Sequence, residues 1–156
     1  MKRLSIIAAA VLLSTAAFAQ VPSTQPPYNI DTGALITLTA HGAGTVNSAT
    51  QTNLDKVAVS CVFQQTSHTG SPSSTFSIQT YDAGTASWFT KATSAAVTAD
   101  STPTVLEMGA GAQTSSLLSN MTAYGARLSR VWRVSITVGG TSTPVVTGKI
   151  GCNVLK

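Results

Sequence analysis

From Val131 to Val138 apolar and polar side chains alternate, with Trp132, Val134, Ile136 and Val138 on one parity and Val131, Arg133, Ser135 and Thr137 on the other. A period of two places successive side chains on opposite faces of a strand with one face buried, and a helix cannot use it. Gly139-Gly140 follows at once, and a Gly pair accepts the positive φ of a two-residue hairpin turn. The residues from Pro144 to Cys152 read as the returning strand, so the spacing predicts a hairpin over 131–152.

The same alternation recurs along the chain. After the turn signal Asp31-Thr32-Gly33, Ala34, Ile36, Leu38 and Ala40 alternate with Leu35, Thr37 and Thr39, and the sequence His41 to Gly44 ends that run. Thr45 to Ala49 is a short second strand. Lys56 to Gln65 is a third, with Val57, Val59, Cys61 and Phe63 on one face. Gly70 and Pro72 punctuate 66–72 as a loop, after which Phe76, Ile78 and Thr80 oppose Thr75, Ser77, Gln79 and Tyr81. In the stretch from Asp82 to Trp88, a carboxylate that accepts backbone N–H groups two residues on predicts a tight turn. Gly84 supplies the left-handed angle, and Trp88 covers the hairpin's end.

Ala95 to Ala99 and Thr104 to Met108 are weaker strands separated by 100–103. Between Ser115 and Arg130, Leu117, Met121, Tyr124, Leu128 and Val131 recur at steps of four and three, as on a helix face. Thr122 and Gly125 oppose a helix, and the expectation is a loop with one helical turn entering the strand near Arg127. Strand signals about every ten residues, with Gly, Pro and Asp between them, predict an all-β antiparallel sandwich of jelly-roll or Ig-like type with seven or eight strands.

The first residues carry a different signal. Lys2-Arg3, the apolar run Leu4 to Leu13 and the small-residue site Ala17-Phe18-Ala19 read as a secretory signal peptide over 1–19. A retained anchor is the alternative, but a spanning helix needs roughly 20 apolar residues and this run is shorter. No other segment is apolar enough to span a bilayer. Residues 20–30, with Pro22, Pro26 and Pro27, form an extended arm, either laid on a neighbouring subunit or simply a free terminus. Residues 31–156 then make one domain.

Composition narrows the function. Charged residues are only 9% of the chain, and the formal charge of +4 falls to +2 once Lys2 and Arg3 leave with the leader. A nucleic-acid binder needs a dense basic stripe, which is absent from the sequence. The surface is instead rich in Thr, Ser, Ala and Gly, a poor source of catalytic carboxylates. An even pair of cysteines, Cys61 and Cys152, in an exported chain predicts a disulfide. Parity supports it, since Cys61 shares a face with Val59 and Phe63, and Cys152 with Ile150 and Val154. Two buried free thiols are the alternative reading.

Reactive constellations are missing at the sequence level. His41 and His68 stand apart, without Cys, His or paired acids at ligand spacing, so neither a metal nor any other cofactor is expected. No Gly-x-Ser-x-Gly elbow occurs. The acids Asp31, Asp55, Asp82 and Asp100 occupy turn positions, and only Glu107 lies in an apolar strand, where it faces solvent. No catalytic residue is therefore assigned, and a non-enzymatic protein is expected. The candidate surface-binding residues are Tyr81, Trp88, Arg127 and Arg133. The two arginines share an exposed strand face and suit acidic groups of a neighbouring subunit or an anionic glycan. Arg130 falls on the Trp132 side, which requires either a bulge or a strand that starts after it.

The segments starting at His68 (His-Thr-Gly-Ser-Pro), Thr75 (Thr-Phe-Ser-Ile-Gln-Thr-Tyr-Asp-Ala-Gly) and Arg130 (Arg-Val-Trp-Arg-Val-Ser-Ile-Thr-Val-Gly-Gly) together resemble small Thr/Ser/Gly-rich β-sandwich proteins encoded among the structural genes of tailed bacteriophages. The likeness is one of strand-and-turn pattern over most of the chain after the leader. It implies a virion-associated or decoration-type role, phage-encoded, with partners among copies of itself, other virion or surface proteins, or a host glycan. The leader departs from that pattern, because virion proteins usually assemble in the cytoplasm. The chain is also similar to bacterial fimbrial subunits, which pair a leader with a small, low-charge, disulfide-bonded sandwich. It departs from them in ending Val154-Leu155-Lys156 without an aromatic residue, and in the wide spacing of its cysteines. The leader and the cysteine pair imply a secreted, periplasmic or extracellular surface location, and the phage resemblance implies a place on a virion.

Overall fold

A computed structural model describes residues 30–53, 57–110 and 120–155; the leader at 1–19 and the arm up to residue 29 lie outside the described residues. The described chain is all β, with eight strands and no helix. They are β1 (Ile30–His41), β2 (Gly44–Asn47), β3 (Gln51–Thr52), β4 (Ala58–Asp82), β5 (Ser87–Thr93), β6 (Thr104–Met108), β7 (Met121–Tyr124) and β8 (Val131–Leu155). Among the described residues no helix is long and apolar enough to cross a membrane.

The expected hairpin at Gly139-Gly140 is not there. β8 runs on through both glycines to Leu155, and it pairs antiparallel with the equally long β4 from Ala58↔Leu155 to Thr80↔Trp132. The predicted loop at 66–72 is likewise part of β4, paired with 140–147. The physical reason is mutual. Each strand carries its irregular residues opposite the other's, so bulges between Gln65 and Ser67 and between Thr69 and Ser71 absorb the mismatch while the ladder continues.

Strands β1, β2 and β3 line the outer side of β8, at 146–154, 135–138 and 131–132 respectively. Along the outer side of β4 run β5, opposite 77–82, and β6, opposite 59–63. The 94–101 connection keeps contact between them through Ser94 N–H to Phe76 O, the Val97↔Ser74 bridge and Ser101 N–H to Gln65 O. Four antiparallel passes result. β7 joins β6 in parallel, which makes the sheet mixed rather than purely antiparallel. Met121 to Tyr124, expected in a loop with a helical turn, is thus strand; its neighbours at 111–119 lie outside the described residues.

The four passes bend along one band. Of nine positive φ angles among the described residues, seven lie there, at Ala40, Gly44, Gly70, Ser101, Gly140, Ser142 and Thr143. The bend is sharp enough to fold the ribbon on itself. Phe63 and Phe76 are thirteen residues apart on β4, about 43 Å if extended, yet their ring centroids are 6.1 Å apart, edge to face. One continuous core therefore takes Ile36, Cys61, Phe63, Leu106 and Ile150 from one half and Phe76, Ile78, Trp132, Val134 and Ile136 from the other.

Inward parity confirms the bend. On β4 the buried residues are odd-numbered from Val59 to Gln65 and even-numbered from Pro72 to Thr80, a switch that the one-residue bulge after Gln65 produces. At the end away from the bend the two halves are tied by Leu128 N–H to Val57 O, while Asn53 N–H to Arg130 O extends the β3–β8 ladder by one step. β8 starts at Val131, after Arg130, which resolves the parity of that arginine. Cys61 and Cys152 are direct partners in the central ladder, with Cα atoms 4.1 Å apart, and form the expected disulfide. No free cysteine is left.

Candidate functional site

The outward face of the second half is built from rows that cross three strands. Thr90 of β5, Gln79 of β4 and Arg133 of β8 stand in one row, and Trp88 and Tyr81 pair in the next. The turn that brings β5 back is held by the Asp82 carboxylate, which accepts from Gly84 N–H at 2.7 Å and from Thr85 N–H at 3.3 Å. The left-handed residue in it is Ala86, φ 51°, and not Gly84 as the sequence suggests.

Arg133 reaches across β4 to this corner. Its Nε donates to Gln79 Oε1 at 2.8 Å, and its guanidinium lies 4.3 Å from the centre of the Trp88 ring. A planar cation over an indole face is a favourable electrostatic contact that also fixes the long side chain. Tyr81 completes the corner, tilted 56° against Trp88 at 5.3 Å between centroids. Tyr81 is 39% exposed and Trp88 half-buried, so the group presents aromatic and guanidinium surface to solvent. No carboxylate among the described residues pairs with Arg133.

Hydroxyl and amide groups continue the face. Thr93, Ser77 and Asn47 belong to the next row, whose remaining member, Ser135, is buried, and Thr75, Thr137 and Thr45 form the one after, with Thr45 and Thr137 hydroxyls 2.9 Å apart. Three of the four candidates, Tyr81, Trp88 and Arg133, are thus brought together. Arg127 is not: it lies exposed in the 125–130 crossing, just before Leu128, and joins none of these contacts. Gln79 and Thr90, which position Arg133, are missed by the sequence reading. Their strand parity was legible, but the partner of each depends on register.

A second polar group lies at the bend. His68 Nδ1 is 2.8 Å from Asp100 Oδ1, and Gln65 Nε2 is 3.0 Å from that same oxygen. The hydrogen bond from His68 holds the Asp100 carboxyl below the ordinary carboxylate range; partial burial opposes this, while Gln65 and the positive charge available to His68 reinforce it. His41 and His68 are not in separate loops. They flank Val146 in one row, two strand spacings or about 10 Å apart. Glu107 is half-buried opposite Ser60 and Ala123.

No family model matches the chain, and no curated protein or solved structure is similar to it at a significant level.

Proposed function

We propose that the chain is an exported, non-enzymatic adhesion or structural module that uses the outward face of its second half to bind an acidic glycan. The observation that carries this is the Arg133–Trp88–Tyr81 corner opening onto rows of Thr and Ser hydroxyls. An aromatic plane suits the apolar face of a pyranose ring, a fixed guanidinium suits a carboxylate, and hydroxyl rows exchange hydrogen bonds with sugar hydroxyls. The groups present are hydroxyl, phenol, amide, indole and guanidinium. None of these transfers protons readily near neutral pH, which favours binding over catalysis.

The fold class is read further as a β-sandwich, its two layers being the halves of one bent ribbon; the jelly-roll or Ig-like subtype belongs to the same reading. The fold-over between Phe63 and Phe76 supports it. A phage virion or a bacterial surface is the setting that the sequence resemblances suggest, with copies of the chain, virion proteins or host glycans as partners. The signal-like leader and the disulfide are compatible with export.

A glycan array probed with wild type, Trp88→Ala and Arg133→Lys tests the proposal. Wild type is expected to select sugars bearing carboxylates, and each substitution to weaken that binding about tenfold or more, in line with a lost stacking or bidentate contact. Absence of glycan binding, or binding indifferent to both substitutions, overturns it.

A further inference from the structure

We infer that the outward face of the first half is an interface for a second copy of this chain, packed face to face about a two-fold axis through Val62. Val59, Cys61 and Phe63 of β4 point into the core, so Ser60, Val62 and Gln64 point out, and the register extends each of them into a row across the sheet. The Val62 row runs Met121, Val105, Val62, Gly151 and Ala34 across β7, β6, β4, β8 and β1, with no polar side chain in it. Val62 is 36% exposed in the middle of that stripe. Beside it Gly151 floors a shallow depression of about 330 Å³, walled by Val62, Gln64 and Lys149. An apolar strip between polar rows is the pattern of an interface core inside its rim.

The charges that flank the stripe select a second copy as its partner. One row toward the bend, Lys149 stands on β8 opposite Gln64. One row away from the bend, Glu107 stands on β6 opposite Ser60. β4 lies between β6 and β8, and the Val62 row lies between the other two, so Val62 is the midpoint of the line from Lys149 to Glu107. Spacings of about 4.8 Å between strands and about 6.8 Å between alternate residues put each charge about 8 Å from Val62. A two-fold axis lying in the face, through Val62 and perpendicular to that line, exchanges the two charged positions. Valine then meets valine, and Lys149 of each copy meets Glu107 of the other.

Neither charge is matched within the chain. Among the described residues no carboxylate pairs with Lys149, and no cation or hydrogen-bond donor with the half-buried Glu107. A half-buried carboxylate gains from an ammonium supplied across an interface. Five strands by three rows make a face of about 24 by 20 Å, roughly 500 Å² per copy and about 1,000 Å² for the pair, the lower limit for a specific contact. The dimer is therefore a weak one, with Kd in the micromolar range. Arg133, Trp88 and Tyr81 lie on the outward face of the other half, so pairing leaves both corners open, and the interface does not depend on what they bind.

Sedimentation velocity of the purified protein from about 5 to about 500 μM tests the interface. The wild type is expected to pass from monomer to dimer as concentration rises. Lys149→Glu and Glu107→Lys each set like charges together at two places and should weaken association about tenfold or more. Mixing these two variants matches every changed residue with an opposite charge and should restore the dimer, a result that requires these positions to meet across a two-fold axis. Should Glu107→Lys fail to fold, Val62→Asp and Lys149→Glu, both at exposed positions, decide the matter by weakening association to the same extent. A wild type that stays monomeric throughout, as it would if the face served another partner, overturns the interface. So does a dimer indifferent to Lys149→Glu and Val62→Asp, or a mixture of folded reversal variants that stays monomeric.

Discussion

Gly139 and Gly140 are adjacent in sequence and opposite in consequence. A hairpin turn would ask positive φ of both, but in the bent ribbon only Gly140 has it, at 122°. A Cβ at Gly140 would collide with the Ser71 carbonyl oxygen and stand 2.9 Å from Pro72 Cα, both backbone atoms of the paired strand that cannot swing aside. At Gly139 the nearest atom is the Ser73 carbonyl oxygen at 3.3 Å, a tight but tolerable approach. For Gly140→Ala, the left-handed backbone costs about 1–3 kcal/mol. Shifting the ladder to relieve the overlap gives up one or two hydrogen bonds at about 1 kcal/mol each, for a total of about 2–5 kcal/mol. For Gly139→Ala, the lost flexibility of the unfolded chain stabilises by about 0.5–1 kcal/mol and the tight contact offsets it, leaving a change within about 1 kcal/mol. The assay is equilibrium urea unfolding of the oxidised protein. With a slope of about 2 kcal/mol/M, Gly140→Ala should lower the midpoint by about 1–2.5 M and Gly139→Ala by under about 0.5 M. Equal losses in the two variants would refute the continuous-strand account and restore the hairpin.

Reducing the Cys61–Cys152 bridge, which closes a loop of 91 residues in sequence, should cost about 4–5 kcal/mol by chain entropy; a urea midpoint unmoved by reductant would show that the ladder alone holds the ends. Asp100, its carboxyl depressed chiefly by the His68 hydrogen bond, contributes stability above the ordinary carboxylate pKa of about 3.9 that is lost as pH falls through its lower folded value. Asp100→Asn should therefore flatten the stability profile below about pH 4, and an unchanged acid limb would contradict the assignment. Arg133→Lys should lose the Nε bond to Gln79 and the flat contact with Trp88, yet destabilise by no more than about 1 kcal/mol. A larger loss would mark the corner as a structural brace.

Strand identity was legible wherever one face is buried. Trp132, Val134, Ile136 and Val138, Ile36 and Leu38, and Phe76 and Ile78 all face the core as the alternation predicts, and the same rule turned both cysteines inward. Two features escaped. The bend is carried by Gly70, Pro72, Gly140 and the hydroxyl residues Ser142 and Thr143, the residue types that also make loops and hairpins, so local chemistry could not distinguish a turn from a bulge inside a continuing ladder. β7 escaped because four half-buried residues, Met121 to Tyr124, lack any alternation of exposure. Of the Arg133–Trp88–Tyr81 corner, all three side chains were legible as residue types on exposed parity. Their meeting was not, because Arg133 is 45 or more residues from the other two in sequence and only the β4–β8 register joins them. Arg127 was grouped with Arg133 by sequence proximity, which the start of β8 at Val131 undoes.

The bend links the Gln65–His68–Asp100 group and the Arg133–Trp88–Tyr81 corner in one chain of cause. A straight β4–β8 ribbon would leave Phe63 and Phe76 on a flat open sheet, with no apolar partner for the inward face. Folding it supplies each half with the other as cover, and the cost is a band where the backbone must take positive φ and where parity slips by one. That slip puts Gln65, fully buried, next to His68 and Asp100 instead of in a purely apolar core. Away from the band the strands are regular, and regularity is what lets Thr, Ser, Gln and Arg line up in rows on the outward face. The same ribbon therefore carries ordered polar rows on its outward face at one end and an irregular polar group at the bend. A substitution that straightens the band, Gly140→Ala above all, should disturb the Gln65–His68–Asp100 group before it disturbs the Trp88–Arg133 corner, and chemical shifts of the His68 ring and the Trp88 indole N–H report the two separately.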